Sequence, residues 1–154
     1  MNHERAFRLA QDQLHRGQVD QAIETLAEIL GESPDEADAH ALLALCLVRK
    51  KRLHAARLEA TRSLELEPDS AFAHVAVATC ETADRRFTLA ERHLQDALAL
   101  VPDSTVARYQ LAWLYLLWGR EHDAAAEAET ACGLQPDDAE LWALRGRVAW
   151  ALGD

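Results

Sequence analysis

The chain has 154 residues, 49% of them apolar, and carries 26 acidic against 16 basic side chains, a formal net charge of -10. That balance argues against nucleic acid as a partner, because phosphate binding needs a basic surface that releases counterions. The longest apolar run, Leu111 to Trp118, is eight residues, short of the roughly 20 that span a bilayer, and the N-terminus has no signal-peptide pattern, so the expected location is the cytoplasm.

One dipeptide recurs at a fixed interval. Pro34-Asp35, Pro68-Asp69, Pro102-Asp103 and Pro136-Asp137 are each 34 residues apart. The spacing divides the chain into one array of units, 3-36, 37-70, 71-104 and 105-138, followed by a half unit 139-154. Small residues hold the eighth place (Ala10, Ala44, Ala78, Ala112, Gly146) and the twentieth (Ala22, Ala56, Ala90, Ala124). Aliphatics hold the seventh place (Leu9, Leu43, Val77, Leu111) and the twenty-eighth (Leu30, Leu64, Leu98), where burial would drive packing.

Apolar residues within each unit recur at three and four, which predicts two amphipathic helices per unit, about nine in all. The break inside each unit falls at Arg16-Gly17-Gln18, Lys50-Lys51-Arg52, Asp84-Arg85-Arg86 and Trp118-Gly119-Arg120. Gly17, Gly119 and Gly153 suit a left-handed helix end. Lys51 and Arg85 share that place, which predicts either local strain or a different turn. Between units, proline ends one helix and the following Asp is expected to cap the next.

This pattern resembles the tetratricopeptide repeat over essentially the whole chain. The aliphatic-Ala pairs (Leu9-Ala10, Leu43-Ala44, Val77-Ala78, Leu111-Ala112), the later alanine and the terminal proline stand at that family's offsets. The fourth place, often aromatic in the family, reads Ala6, His40, His74, Arg108 and Trp142, so its packing is expected to differ from unit to unit. The resemblance implies an all-α, right-handed α-solenoid of antiparallel helix hairpins, with first helices lining a concave groove and second helices outside. Members that grip a chaperone's C-terminal carboxylate use Lys and Asn on one first helix, Asn on the next, and Lys with Arg on the third. The corresponding places here are Phe7, Gln11, Leu42, Phe72 and Ala76, so that clamp is absent.

If the first helices face inward, places two, five, nine and twelve form one groove stripe. It is apolar in units two to four. The expected contacts are Phe7, Leu45, Phe72, Val75, Tyr109, Trp113, Leu116 and Trp150. Aromatic anchors of this kind suit a protein or peptide partner with an apolar segment, extended or helical. The other reading of the stripe is that curvature buries it between neighbouring first helices. In the half unit, Arg145 and Arg147 suggest a solvating cap over 139-152, while Gly153-Asp154 equally suits the start of another turn.

No catalytic motif is present, and the expected role is a non-catalytic interaction scaffold or adaptor without a cofactor. A structural, self-associating role is the alternative, with the groove or helix 139-152 packing on another copy or on further sequence of a longer, membrane-associated protein. Cys46, Cys80 and Cys132 form no CxxC pair and read as core fillers in a reducing compartment, with no metal site. His40 and His74, one period apart, stand on neighbouring helices about 10 Å apart and so read as packing residues rather than joint metal ligands. Basic residues collect at the turns within units and acidic ones at the turns between units, as helix dipoles favour.

Overall fold

The computed structural model describes residues 2-153. Nine α-helices occur among them: α1 (His3–His15), α2 (Val19–Glu32), α3 (Ala37–Arg49), α4 (Leu53–Leu66), α5 (Ala71–Ala83), α6 (Phe87–Leu100), α7 (Thr105–Trp118), α8 (Glu121–Leu134) and α9 (Ala139–Ala151). No strand occurs among the described residues. The fold is the expected all-α, right-handed solenoid of helix hairpins.

Proline chemistry sets the joints between units. Ser33, Glu67, Val101 and Gln135, each preceding a proline, have φ near -133° and ψ between 79° and 88°. The proline ring excludes the helical region for its predecessor, so all four second helices stop at the same place. Each Pro-Asp then occupies the two central positions of a β-turn, closed by Glu36, Ser70, Ser104 and Asp138 N–H donating to the carbonyls of Ser33, Glu67, Val101 and Gln135.

This geometry moves the cap one residue beyond the expected Asp. The N-caps are Glu36, Ser70, Ser104 and Asp138. Ser70 Oγ accepts from Ala73 N–H, Ser104 Oγ from Ala107 N–H, and Asp138 Oδ1 from the N–H groups of Glu140 and Leu141. Each such cap is worth about 1 kcal/mol. Asp35, Asp69, Asp103 and Asp137 belong to the turn instead, where their negative charge still suits the adjoining helix N-terminus.

Joints within units are of one kind. Gly17, Lys51, Arg85 and Gly119 have φ of 77°, 60°, 60° and 77°. At every one of them the next residue's N–H reaches back five positions: Gln18 to Gln13, Arg52 to Leu47, Arg86 to Glu81, Arg120 to Tyr115. These are Schellman ends, so Lys51 and Arg85 adopt the glycine conformation under strain rather than forming a different turn.

Both small-residue columns are buried throughout the four hairpins, with Ala10, Ala44, Ala78, Ala112, Ala22, Ala56, Ala90 and Ala124 all at 0% exposure. Gly146 is the exception. It is exposed, and a Cβ built there meets nothing within 4 Å. The aliphatic columns depart from expectation. The seventh place runs from Leu9, 51% exposed, through half-buried Leu43 and Val77 to buried Leu111, and Leu30, Leu64 and Leu98 are half-buried. Leu26, Ile29 and Leu94 carry the burial in the second helices instead. Leu9 is bare because, among the described residues, α1 has only α2 and α3 to pack on.

Successive first helices touch one another, α1 on α3, α3 on α5, α5 on α7 and α7 on α9. Each second helix packs on its own first helix and on the next one, while no contact joins one second helix to the next among the described residues. The array therefore curves with its first helices inside. The core is a chain of local clusters, each shared between adjacent hairpins.

Candidate functional site: the concave face

The first helices place two apolar recesses on the concave side. One, of about 370 Å³, is lined by Phe7 of α1, Asp38 of α3, Ala71, Phe72 and Val75 of α5, and Val101, Ser104 and Val106 around the start of α7. A second, of about 250 Å³, is lined by Val48, Thr79, Thr82, Ala83, Tyr109, Gln110, Trp113 and Leu117. Between them a more polar hollow brings His15 and Arg49 to face Tyr109, Gln135 and Asp138 across the curve of the array.

The expected contacts divide in four. Phe7 and Phe72 are half-buried around the larger recess, and Tyr109 and Trp113 around the smaller. Val75, 3% exposed, is a correction: it forms the floor of the larger recess and belongs to the core rather than to an open contact surface. Leu45 and Leu116 are half-buried and packed against the core clusters, because each lies where one first helix leans on the next. Trp150 stands apart at 84% exposure on α9.

Two residues outside the expected set contribute. Val106 is 54% exposed at the rim of the larger recess, within the groove stripe. Asp38 brings a carboxylate into it; desolvation, with the Glu36 charge added, raises that carboxyl above its usual range. Asp38, like Val106, stands at place two of the groove stripe, which was the available signal. Trp113 is covered in part by the Arg147 guanidinium of α9, 5.6 Å from the ring centroid.

The basic edge is engaged within the array. Arg49 donates to the Leu14 carbonyl at 2.7 Å, capping the end of α1, and Lys50 lies 3.0 Å from Asp20. Arg120 reaches Glu91 at 3.0 Å and Asp123 at 2.8 Å. Arg49, Lys50 and the Arg120–Glu91 pair stitch one unit to the next.

The fourth place packs differently from unit to unit, as expected: Ala6 is buried, His40, His74 and Arg108 are half-buried, and Trp142 is exposed. From the second unit on, its residues nevertheless share one hydrogen bond, donating to the carbonyl of the proline six residues back. His40 does so to Pro34 at 2.8 Å, His74 to Pro68 at 3.1 Å, Arg108 to Pro102 at 3.2 Å and Trp142 to Pro136 at 2.6 Å. What His40, His74, Arg108 and Trp142 share is a side-chain N–H at the right reach.

Cys46, Cys80 and Cys132 are buried and free, and burial raises the Cys46 and Cys80 thiols to about 11. These are inert core fillers. Among the described residues no helix is long and apolar enough to cross a membrane.

A curved stack of helix hairpins, joined by proline turns and lined on its inner side by its first helices, is an α-solenoid. Tetratricopeptide repeat models match residues 7-71 and 81-148, and the chain belongs to that family, whose members are generally non-catalytic protein–protein interaction scaffolds. No curated protein sequence matches the chain. Solved structures share the fold at low identity. A thermophilic tetratricopeptide repeat protein of Thermus thermophilus is 19% identical with a TM-score of 0.89, over 98% of this chain and 83% of that one. A tetratricopeptide repeat protein from Parabacteroides merdae is 21% identical with a TM-score of 0.81, over 99% and 59%. A chain of the APC/C hetero-tetramer Cut9-Hcn1 is 15% identical with a TM-score of 0.75, over 96% and 30%.

Proposed function

We propose that residues 3-154 act as one array, a non-catalytic scaffold whose concave face holds an apolar segment of a partner protein. The observation that carries this is the alignment of two apolar recesses, around Phe7, Phe72 and Val106 and around Tyr109 and Trp113, along one inner surface. The family's general role and the assembly of Cut9 with Hcn1 in a similar fold support a protein as the ligand. Apolar side chains of an extended or helical segment would fill the recesses in turn, and Arg147 beside Trp113 would favour an acidic residue near that end.

The test is a panel of fluorescent peptides with apolar anchors at extended and helical spacing, titrated against the wild type, Val106→Asp and the Tyr109→Ala, Trp113→Ala double variant. Binding should weaken at least about 30-fold in both variants, the loss of a hot spot worth about 2 kcal/mol. Val106 is a rim residue, so its variant should keep the wild-type Tm. Unchanged peptide affinity in both variants would overturn the reading.

A second reading has its own observation. Trp142 and Trp150 of α9 are 46% and 84% exposed beside the open place at Gly146, an apolar face suited to another copy or to further chain. Sedimentation at high concentration separates the two. A dimer lost on Trp150→Ala favours self-association through α9.

A further inference from the structure

In units two to four the residue at the fourth place of the first helix meets a residue 19 positions later on the second helix of its own hairpin. In the second unit His40 Nδ1 lies 2.6 Å from Glu59 Oε2, and in the fourth Arg108 donates to Glu127 at 2.8 Å. Both pairs match a cation or N–H donor with a carboxylate. The third unit breaks this rule: His93 stands where Glu59 and Glu127 stand, and the two imidazoles face each other with Nδ1 atoms 3.1 Å apart. Asp96, one turn further along α6, turns its carboxylate to the same point, and the ligand atoms of all three lie within 4.8 Å of one another.

We propose that His74, His93 and Asp96 form a binding site for a divalent first-row transition-metal ion of the zinc class. Two imidazole nitrogens bound to one tetrahedral zinc at 2.0–2.1 Å stand about 3.3 Å apart, close to the separation already present. His74 Nε2–H donates to the Pro68 carbonyl, which leaves the Nδ1 lone pair directed at His93, the way a carbonyl orients a metal-bound histidine. Burial, with His74 adding to it, lowers the His93 pKa. Both histidines are half-buried and Asp96 is exposed, so the ion reaches the site from solvent and keeps a fourth position for water. The two-nitrogen, one-carboxylate donor set selects zinc-like ions over magnesium and calcium. The site joins α5 to α6 and clamps the third hairpin, whose first helix carries Phe72 at the larger groove recess.

The test uses the full chain stripped with EDTA, with zinc titrated by calorimetry in parallel with thermal unfolding. The wild type should bind one equivalent and gain several degrees in Tm at about 100-fold excess over Kd. His93→Gln should abolish that gain, and Asp96→Asn, at an exposed position that leaves the fold intact, should weaken binding at least about 10-fold. His40→Gln removes a histidine outside the site and should bind as the wild type does, and magnesium should not compete. Zinc affinity in Asp96→Asn and His93→Gln equal to that of the wild type would overturn the proposal, as would equal loss in His40→Gln.

Discussion

Helices α7 and α9 hold the same place in successive units and differ mainly in what surrounds them. In α7, Ala107, Ala112 and Leu114 are at 0% exposure, Tyr115 is at 6%, and Trp118 packs on Phe87 with ring centroids 5.7 Å apart. In α9 the face turned to α7 and α8 is equally well buried, with Leu141 at 3%, Leu144 at 2% and Val148 at 1%. Its other face is bare at Trp142, Gly146 and Trp150. One face of a first helix is thus completed by the preceding hairpin and the other by its own second helix and the unit that follows. Burial in this array belongs to the neighbourhood, and a residue of the same repeat place is core in one unit and surface in the next.

The widest separation between the two helices should come from truncating large side chains. Leu114→Ala removes a fully buried leucine and should cost about 2–5 kcal/mol, whereas Trp150→Ala should stay within about 0.5 kcal/mol despite the larger side chain. Urea unfolding read by circular dichroism measures both; equal costs would mean that Trp150 is covered in solution, as self-association requires.

At the shared small-residue place the two helices should respond with opposite sign. Ala112→Leu overpacks a closed contact and should destabilise by about 1–3 kcal/mol. Gly146→Ala meets no atom within 4 Å and should stabilise by about 0.5–1 kcal/mol through helix propensity. A destabilising Gly146→Ala, seen in the same unfolding curves, would show that something packs closely there.

The smallest effect is expected at the turns, where Gly119 of the fourth unit contrasts with Lys51 of the second. Lys51→Gly relieves a left-handed residue but loosens the unfolded chain, so a net gain of up to about 1 kcal/mol is expected, visible as a higher Tm. No gain would indicate that the Lys51 side chain offsets its backbone strain.

Much of this was legible in the residues themselves. The alanines of places eight and twenty, the four within-unit breaks and the arrest of each second helix at a proline are local or periodic properties, and each was found where the spacing put it. The groove set was legible in part. Phe7, Phe72, Tyr109 and Trp113 stand around the recesses, while Val75 sank into the floor and Leu45 and Leu116 into the packing between first helices. A helical period says which side of a helix a residue is on but not how closely the next helix leans over it. The shift of the cap from Asp to Ser70, Ser104 and Asp138 was also hidden, because the turn that proline imposes uses up the Asp before the helix begins.

The 34-residue period by itself determined that this chain is a stack of helix hairpins, because the positions of proline, alanine and the turn residues constrain only their near neighbours. Tertiary structure decided everything that depends on two units or two helices meeting. It buried Leu111 and bared Leu9, it turned His74 toward His93, and it brought Phe7 of one hairpin to the same recess as Phe72 of another. The physical reason is that side-chain burial and contact depend on the curvature of the whole stack, to which each repeat contributes but which no single repeat contains.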